Sequence, residues 1–270
     1  MLLSEVGYAR PTSVDDAVRL LAENDGARPL AGGQTLLNVM KARAAAPDVL
    51  VDLADLDDLR TISKRADGGL ELGPMVTCAQ LLGSGEVSDA RPILAEVVGQ
   101  IADVQVRNRG TVGGNVCSND PTNHLPPLMV ALGAEMTIAG TEGERAVPAE
   151  EFFLGVYMTA VGPGELLTKI AIPPSDGGDG FASVAIGADG TCIVNAAATA
   201  GADGARVAIG CVSAVPVVVT SAAEEEAVRE AVRRADLDPP SDVHGSAEYR
   251  RHLAEVLAAR AVAQAAGRVT

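Results

Sequence analysis

Residues 105–127 read QVRNRGTVGGNVCSNDPTNHLPP, and the rest of the chain is organised around them. The stretch holds a paired glycine, Gly113-Gly114, then Asn115, Ser118, Asn119 and Asp120, with almost no bulky apolar side chain before Leu125. A core strand or helix needs apolar area to bury, so this composition predicts a loop. Hydroxyls, amides and backbone N–H groups that no side chain shields are equipment for holding a phosphate or a sugar. A second stretch, AGGQTLL over 31–37, has similar equipment upstream.

Around these two stretches the pattern is mixed. Pro11 to Ala22 predicts a turn, a cap at Thr12 or Ser13 and a helix with Ala17, Leu20 and Leu21 on its apolar face. Arg28 to Ala31 predicts a strand that ends at the glycines, residues 35–41 a helix, and residues 49–53 another strand. A strand that ends on glycines before a helix is suited to an anion. Further strands are expected at Leu70–Leu72, Glu135–Ala139 and 165–172, with helices over 78–82, 92–101 and 125–132. Ser175 to Gly180, SDGGDG, predicts a flexible polar break and a domain boundary. Beyond it, runs at 182–186, 192–199 and 205–211, joined by Asp- and Gly-bearing turns, predict an antiparallel meander. Helices over 223–234 and 247–266 would cover one face of it.

The 270 residues are enough for a sizeable core and two or three compact units. With three Phe, three Tyr and no Trp, that core must be built from Ala, Val, Leu and Ile. A net charge of −15 argues against nucleic acid and against an anionic membrane surface. No leader and no membrane-spanning window is visible, which makes the cytoplasm the expected location. Cys78, Cys117, Cys192 and Cys211 are too scattered to encode a zinc or iron–sulfur site. Cys117 differs from the others in sitting inside the polar stretch, where it is a candidate to face a ligand.

Several common chemistries are missing. There is no G-x-G-x-x-G dinucleotide fingerprint and no G-x-x-x-x-G-K-[ST] phosphate loop. His124, His244 and His252 do not make a metal spacing, and no nucleophile–base or paired-carboxylate arrangement presents itself. Ligand-binding stretches without acid–base machinery suit a protein whose cofactor carries the chemistry.

Four segments carry a resemblance. AGGQTLLNVMKAR over 31–43 and VRNRGTVGGNVCSNDPTNHLPPLMVALGAE over 106–135 resemble the flavin-binding motifs of the FAD-binding subunits of molybdenum hydroxylases. That family includes carbon monoxide dehydrogenase medium subunits and xanthine dehydrogenase flavin domains. EFFLGVYMTAVGPGELLTKIAIP over 151–173 resembles the end of the family's flavin domain, and SAEYRRHLAEVLAARAV over 246–262 its closing helix.

The resemblance implies an α+β fold. A two-part FAD-binding domain of the vanillyl-alcohol-oxidase type would occupy 1–58 and 59–174, and a C-terminal antiparallel sheet with covering helices 175–270. It implies that Ala31, Gly32, Gly33, Gln34, Thr35 and Leu36 hold the FAD pyrophosphate, through backbone N–H groups from Gly32 onward, with Thr111, Gly113, Gly114 and Asn115 meeting it from the opposite side. Ser118, Asp120 and His124 would reach ribityl or phosphate oxygens, and Ile101 and Leu167 would lie near the cofactor. His124 stands where many relatives have Asp, and residues 174–182 lack the aromatic and basic run that many relatives carry there.

The function implied is electron transfer within a molybdopterin-dependent hydroxylase. Substrate is oxidised on a large molybdopterin subunit, and electrons pass through iron–sulfur clusters on a small subunit to FAD held here. The alternative is a free-standing FAD-dependent oxidoreductase acting on its own small substrate.

Overall fold

The computed structural model describes residues 2–187 and 190–267. The chain begins with a three-stranded parallel sheet. Its strands are β1 (Gly7–Ala9), β2 (Ala27–Leu30) and β3 (Val49–Asp52), in the order β1-β3-β2. Helix α1 (Val14–Glu23) links β1 to β2 and buries Ala17, Val18 and Leu21. Ser13 starts it, the side-chain oxygen accepting from the Asp16 N–H at 3.1 Å. The short α2 (Leu36–Lys41) follows the glycines after β2.

The middle of the chain closes on itself over a long distance. Strands β4 (Ile62–Lys64) and β5 (Leu70–Leu72) are followed by α3 (Cys78–Leu82), α4 (Gly85–Ala90), α5 (Ile93–Val98), α6 (Val104–Arg109), α7 (Val112–Ser118) and α8 (Leu125–Ala131). Then come β6 (Glu135–Gly140), β7 (Gly143–Pro148), the single turn α9 (Ala149–Phe152), the small ribbon β8 (Phe153–Gly155) and β9 (Met158–Thr159), and finally β10 (Leu166–Ile172). Although last in sequence, β10 is the middle strand of a five-stranded antiparallel sheet, order β4-β5-β10-β6-β7. Leu70, Leu72, Leu81, Ile93, Leu94, Leu128, Met136 and Ile138 form the core between this sheet and the helices.

Residues 105–127 are not the loop their composition predicts. They fold mainly as helices α6 and α7 and the start of α8. Caps account for the difference: Asp103 accepts from the Val106 N–H at 2.8 Å and Thr111 from the Gly114 N–H at 3.0 Å. Each glycine in α7 costs helix stability, about 1 kcal/mol. Gly113 offsets this by letting the helix press onto Pro74, whose Cβ lies 2.3 Å from where a Gly113 side chain would begin.

The C-terminal part is a four-stranded antiparallel meander: β11 (Gly178–Ile186), β12 (Thr191–Gly201), β13 (Gly204–Gly210) and β14 (Val217–Ser221). The predicted turn over 187–190 falls partly outside the described residues. Helices α10 (Glu225–Arg234) and α11 (Ala247–Ala266) cover the sheet. Ala254, Ala258, Ala261 and Ala265 of α11 meet Ala196, Ala198 and Ala200 of β12 in one core. A side chain on Gly180 would begin 2.0 Å from the Ala261 carbonyl oxygen. Small residues bury little area each, so this core depends on close approach of backbones.

The polar break is also shorter than predicted. Gly178–Gly180 already belong to β11, and Asp179 is buried against Arg91 at 3.1 Å. Among the described residues no helix is long and apolar enough to cross a membrane.

Candidate functional site

The two glycine stretches touch. β2 delivers Gly32 to a point where a side chain would begin 2.0 Å from the carbonyl oxygen of Arg109 and 3.0 Å from the Gly110 α-carbon. Gly33 sits at φ +73°, a conformation that costs glycine nothing and other residues about 1 kcal/mol or more. The turn braces itself: Gln34 Nε2 donates to the Gly32 carbonyl at 3.0 Å, and Asn38 Nδ2 to the Gln34 carbonyl at 2.7 Å. Among the described residues, the backbone N–H groups of Gly32, Gly33, Gln34, Thr35 and Leu36 have no acceptor in the protein. A half-buried run of donors of this kind is an anion cradle.

The facing segment works differently from its sequence-based expectation. The N–H of Gly113 donates to Pro74 O at 2.8 Å, that of Gly114 to Thr111 Oγ1 at 3.0 Å and that of Asn115 to Thr111 O at 3.0 Å. These amides are therefore already engaged, and what the segment offers is close approach. A side chain on Gly114 would begin 3.8 Å from Ala31 Cβ. Thr111 is pinned in turn, through its bridge to Thr77 and the bond from the Cys78 N–H to the Gly110 carbonyl at 3.0 Å.

A cleft of about 150 Å³ adjoins α7, lined by Ile101, Asn115, Thr122, His124 and Cys192 among others. Asn115 Oδ1 is buried without a hydrogen-bond partner in the protein. Arg107 holds the cleft edge, donating to the carbonyls of Ile101 and Ala102 at 2.8 Å each. Ala102 adopts φ +44°, a strained position for alanine. Asn123 ties α7 to the segment after it, donating to Asn115 O at 2.9 Å and Ser118 Oγ at 3.1 Å.

His124 is buried, its ring centroid 5.2 Å from that of Phe181. Asn195 Nδ2, oriented by its bond to the Asn123 carbonyl at 3.2 Å, lies 3.3 Å from His124 Nδ1. An amide nitrogen can only donate, so Nδ1 accepts and a neutral ring carries its proton on Nε2.

The structure thus brings Ala31, Gly32, Gly33, Gln34, Thr35 and Leu36 against Thr111, Gly113 and Gly114. It brings Ile101, Asn115 and His124 together at the cleft. Three candidates stand apart from that cleft. Ser118 Oγ donates to Asn115 O at 3.0 Å. Asp120 accepts from Thr122 through one oxygen and from Tyr157 through the other. The Leu167 side chain is buried in the core beneath the five-stranded sheet. Cys117 does not line the cleft either. It packs on the core, and burial pushes its thiol up to about 12. Gln100, Ala102, Thr122, Asn123, Cys192 and Asn195 were not singled out from sequence. Gln100 and Ala102 come from a helix end and Cys192 and Asn195 from a distant strand, which no local pattern announces, whereas Thr122 and Asn123 lie within the 105–127 stretch itself.

A family described as the FAD binding domain in molybdopterin dehydrogenase matches residues 4–175, and one described as the CO dehydrogenase flavoprotein C-terminal domain matches 181–265. The chain belongs to the family of FAD-binding medium subunits of molybdenum hydroxylases. The carbon monoxide dehydrogenase medium chain of Afipia carboxidovorans is 39% identical to this flavoprotein subunit, over 99% of each chain. The nicotine 6-hydroxylase medium subunit of Paenarthrobacter nicotinovorans is 33% identical, over 99% of this chain and 100% of the relative. Among solved structures, reconstituted CO dehydrogenase from Oligotropha carboxidovorans superimposes with a TM-score of 0.93 at 36% identity, covering 100% of both chains. Quinoline 2-oxidoreductase from Pseudomonas putida gives 0.91 at 33% identity over 99% of each. The subunit is an FAD-binding member of an oxidoreductase family, with the mixed α+β architecture of these relatives.

Proposed function

We propose that this subunit passes electrons within a molybdopterin-dependent hydroxylase, from iron–sulfur clusters on a small partner to an external acceptor, in the cytoplasm. The observation that carries the reading is the run of N–H groups from Gly32 to Leu36 with no protein acceptor, set against the Thr111–Gly114 turn. Two anionic phosphates suit those donors, and the unpaired Asn115 Oδ1 suits a hydroxyl or N–H donor of the same ligand.

Bound FAD supplies the capacity to take up and release electrons between the partner clusters and the acceptor. The protein's own part is to bind and orient. Gly32, Gly33, Gln34, Thr35 and Leu36 hold the pyrophosphate, with Ala31 beneath them. Thr111, Gly113 and Gly114 close over it without side-chain bulk, and Thr111 keeps α7 in register. Ile101 and His124 flank the flavin end, where His124 Nε2 can donate. Ser118, Asp120 and Leu167 act at one remove, the first two by fixing the segment after α7 and the third as a rigid floor. The divisions at 58/59 and 174/175 are the corresponding domain limits.

Among the described residues no group of three His, Cys, Asp or Glu side chains could hold a metal ion. In the proposed arrangement the iron–sulfur and molybdopterin centres lie on the partners.

Two measurements test the reading. The purified chain should bind FAD and show flavin absorbance after gel filtration; a chain that gains none on FAD addition refutes it. Expressed with its genomic neighbours, it should co-purify with iron–sulfur and molybdopterin proteins. Turnover of a small substrate by the isolated chain would instead support a free-standing oxidoreductase.

A further inference from the structure

Cys192 and Cys211 lie far apart in sequence but share one polar partner. Asn195 Nδ2 is 3.5 Å from Cys192 Sγ and 3.8 Å from Cys211 Sγ, which places the two thiols side by side around one amide. Two departures from regular sheet geometry produce the encounter. The pairing of β11 with β12 shifts between Val184 and Ala185, so that Val184 faces Val194 while Ala185 faces Cys192. Such a bulge turns a side chain to the other face of its sheet, here the face that carries Asn195. Cys211, just past β13, adopts φ +65°, a left-handed conformation costing a non-glycine residue about 1 kcal/mol or more. Strain of this kind tends to persist where the arrangement has a use.

The surroundings are those of a reactive pair. Cys192 lines the cleft beside His124, and both cysteines are buried, with Cys211 on a separate small pocket. Cys211 first, then His124 and Asn195, hold the Cys192 thiol below the usual thiol range in spite of its burial. Cys211 is pushed well above the usual thiol range, by Cys192 and then by burial. Arg250 and Asp120 are the charged groups that act on it from neighbouring elements. Cys192 Sγ also lies 3.6 Å from the Val184 carbonyl. Asn195 Oδ1 is fully buried at this spot with no partner in the protein. Cys78, by contrast, is pushed up to about 11 by burial.

We propose that Cys192 and Cys211 form a peroxide-reactive dithiol in the wall of the cleft, with Cys192 as the attacking thiolate and Cys211 as the resolving thiol. The Cys192 sulfur attacks one oxygen of hydrogen peroxide and the O–O bond breaks. A sulfenic acid forms, and the departing hydroxide takes up a proton to become water. The Cys211 sulfur then attacks the Cys192 sulfur, displacing the sulfenic oxygen as a second water and forming the disulfide. Two thiols are oxidised by two electrons and one peroxide is reduced to two waters. The cleft of about 150 Å³ has room for a molecule of peroxide's size beside Cys192.

The test is peroxide treatment of the purified full chain, in parallel with and without FAD, so that failure of flavin binding is read separately. With equimolar hydrogen peroxide, titration under denaturing conditions should show loss of two of the four thiols. Peptide mass mapping should find a Cys192–Cys211 cross-link that dithiothreitol reverses. In Cys211→Ser, dimedone should label Cys192; in Cys192→Ser, Cys211 should stay reduced. Oxidation of Cys78 or Cys117 ahead of the pair overturns the proposal, as does a map in which both Cys192 and Cys211 remain thiols. The wild-type map decides the matter even if a variant does not fold.

Discussion

Gly32 lies so close to Arg109 that a methyl group on it would sit 2.0 Å from the Arg109 carbonyl oxygen. The contact joins the turn after the parallel sheet to the end of α6, and so sets the distance between the two halves of the proposed pyrophosphate clamp. Gly32→Ala must push these backbones apart, since neither atom belongs to a flexible side chain. Forcing atoms into such a contact typically costs about 1–3 kcal/mol. The expected outcome is a melting temperature lower by several degrees and FAD affinity reduced at least tenfold, read by calorimetry and flavin fluorescence titration. Wild-type affinity in this variant would show that the clamp spacing does not matter.

Asn115 permits a test in which stability and binding move in opposite directions. Its Oδ1 is buried and unsatisfied within the protein, a state that costs roughly 1–3 kcal/mol. Removing the amide in Asn115→Ala should leave the FAD-free protein equally or more stable. The same change should weaken FAD binding about tenfold, since a hydrogen bond worth roughly 1.4 kcal/mol is lost. A fall in stability of the FAD-free variant with unchanged affinity would assign Asn115 to the fold instead.

The glycine-bearing segments were legible in sequence because they break composition locally. The helix over 247–266 was legible because it is a long run of strong helix formers, chiefly Ala with Leu, Arg and Glu. Residues 105–118 read as a loop from composition alone for a physical reason. Their helices are short and poor in apolar residues, and depend on Asp103 and Thr111 as caps and on Pro74 as a seat for Gly113. A cap next to a glycine pair does not show as hydrophobic periodicity. Strand β14 was missed although its VVVTS is β-prone, because the run is short and follows Pro216. The contact of Asn195 with His124 depends on how the meander docks on α8, and that with Cys192 on the bulge between β11 and β12, neither of which a local pattern encodes.

Asp242 and Arg250 give the protein an acid-sensitive contact. Arg250 Nη2 donates to Asp242 Oδ2 at 2.7 Å, while Nη1 donates to the Ile193 carbonyl at 2.6 Å, which ties α11 to β12. The Arg250 bond, followed by the His244 N–H, holds the Asp242 carboxyl below its ordinary range. A carboxyl lowered by folding contributes stability that is fully present above its unfolded value, about 3.9, and is lost as pH falls through the folded value. Asp242→Asn should therefore flatten the melting-temperature curve below about pH 4. It should also lower the melting temperature at neutral pH, because Arg250 stays buried without its carboxylate. A parallel downward shift at every pH would separate Asp242 from the acid response.

Arg91 and Asp179 form the buried charged contact between the FAD-binding part and the C-terminal sheet. Their side chains are 3% and 7% exposed and 3.1 Å apart. Arg91 follows α4, whereas Asp179 lies in β11, so the pair fixes how the meander leaves the five-stranded sheet. Replacing one member of such a pair strands the other charge, at a cost of about 3–5 kcal/mol, whereas replacing both with apolar residues of similar volume is often neutral. Arg91→Met should thus be strongly destabilising in thermal unfolding, and Asp179→Leu added to it should recover most of the loss. The double variant should nonetheless loosen the join between the two parts, seen as faster proteolysis around residues 173–177. Full recovery of stability with unchanged cleavage would mean that apolar packing alone, including Phe181 against His124, sets that orientation.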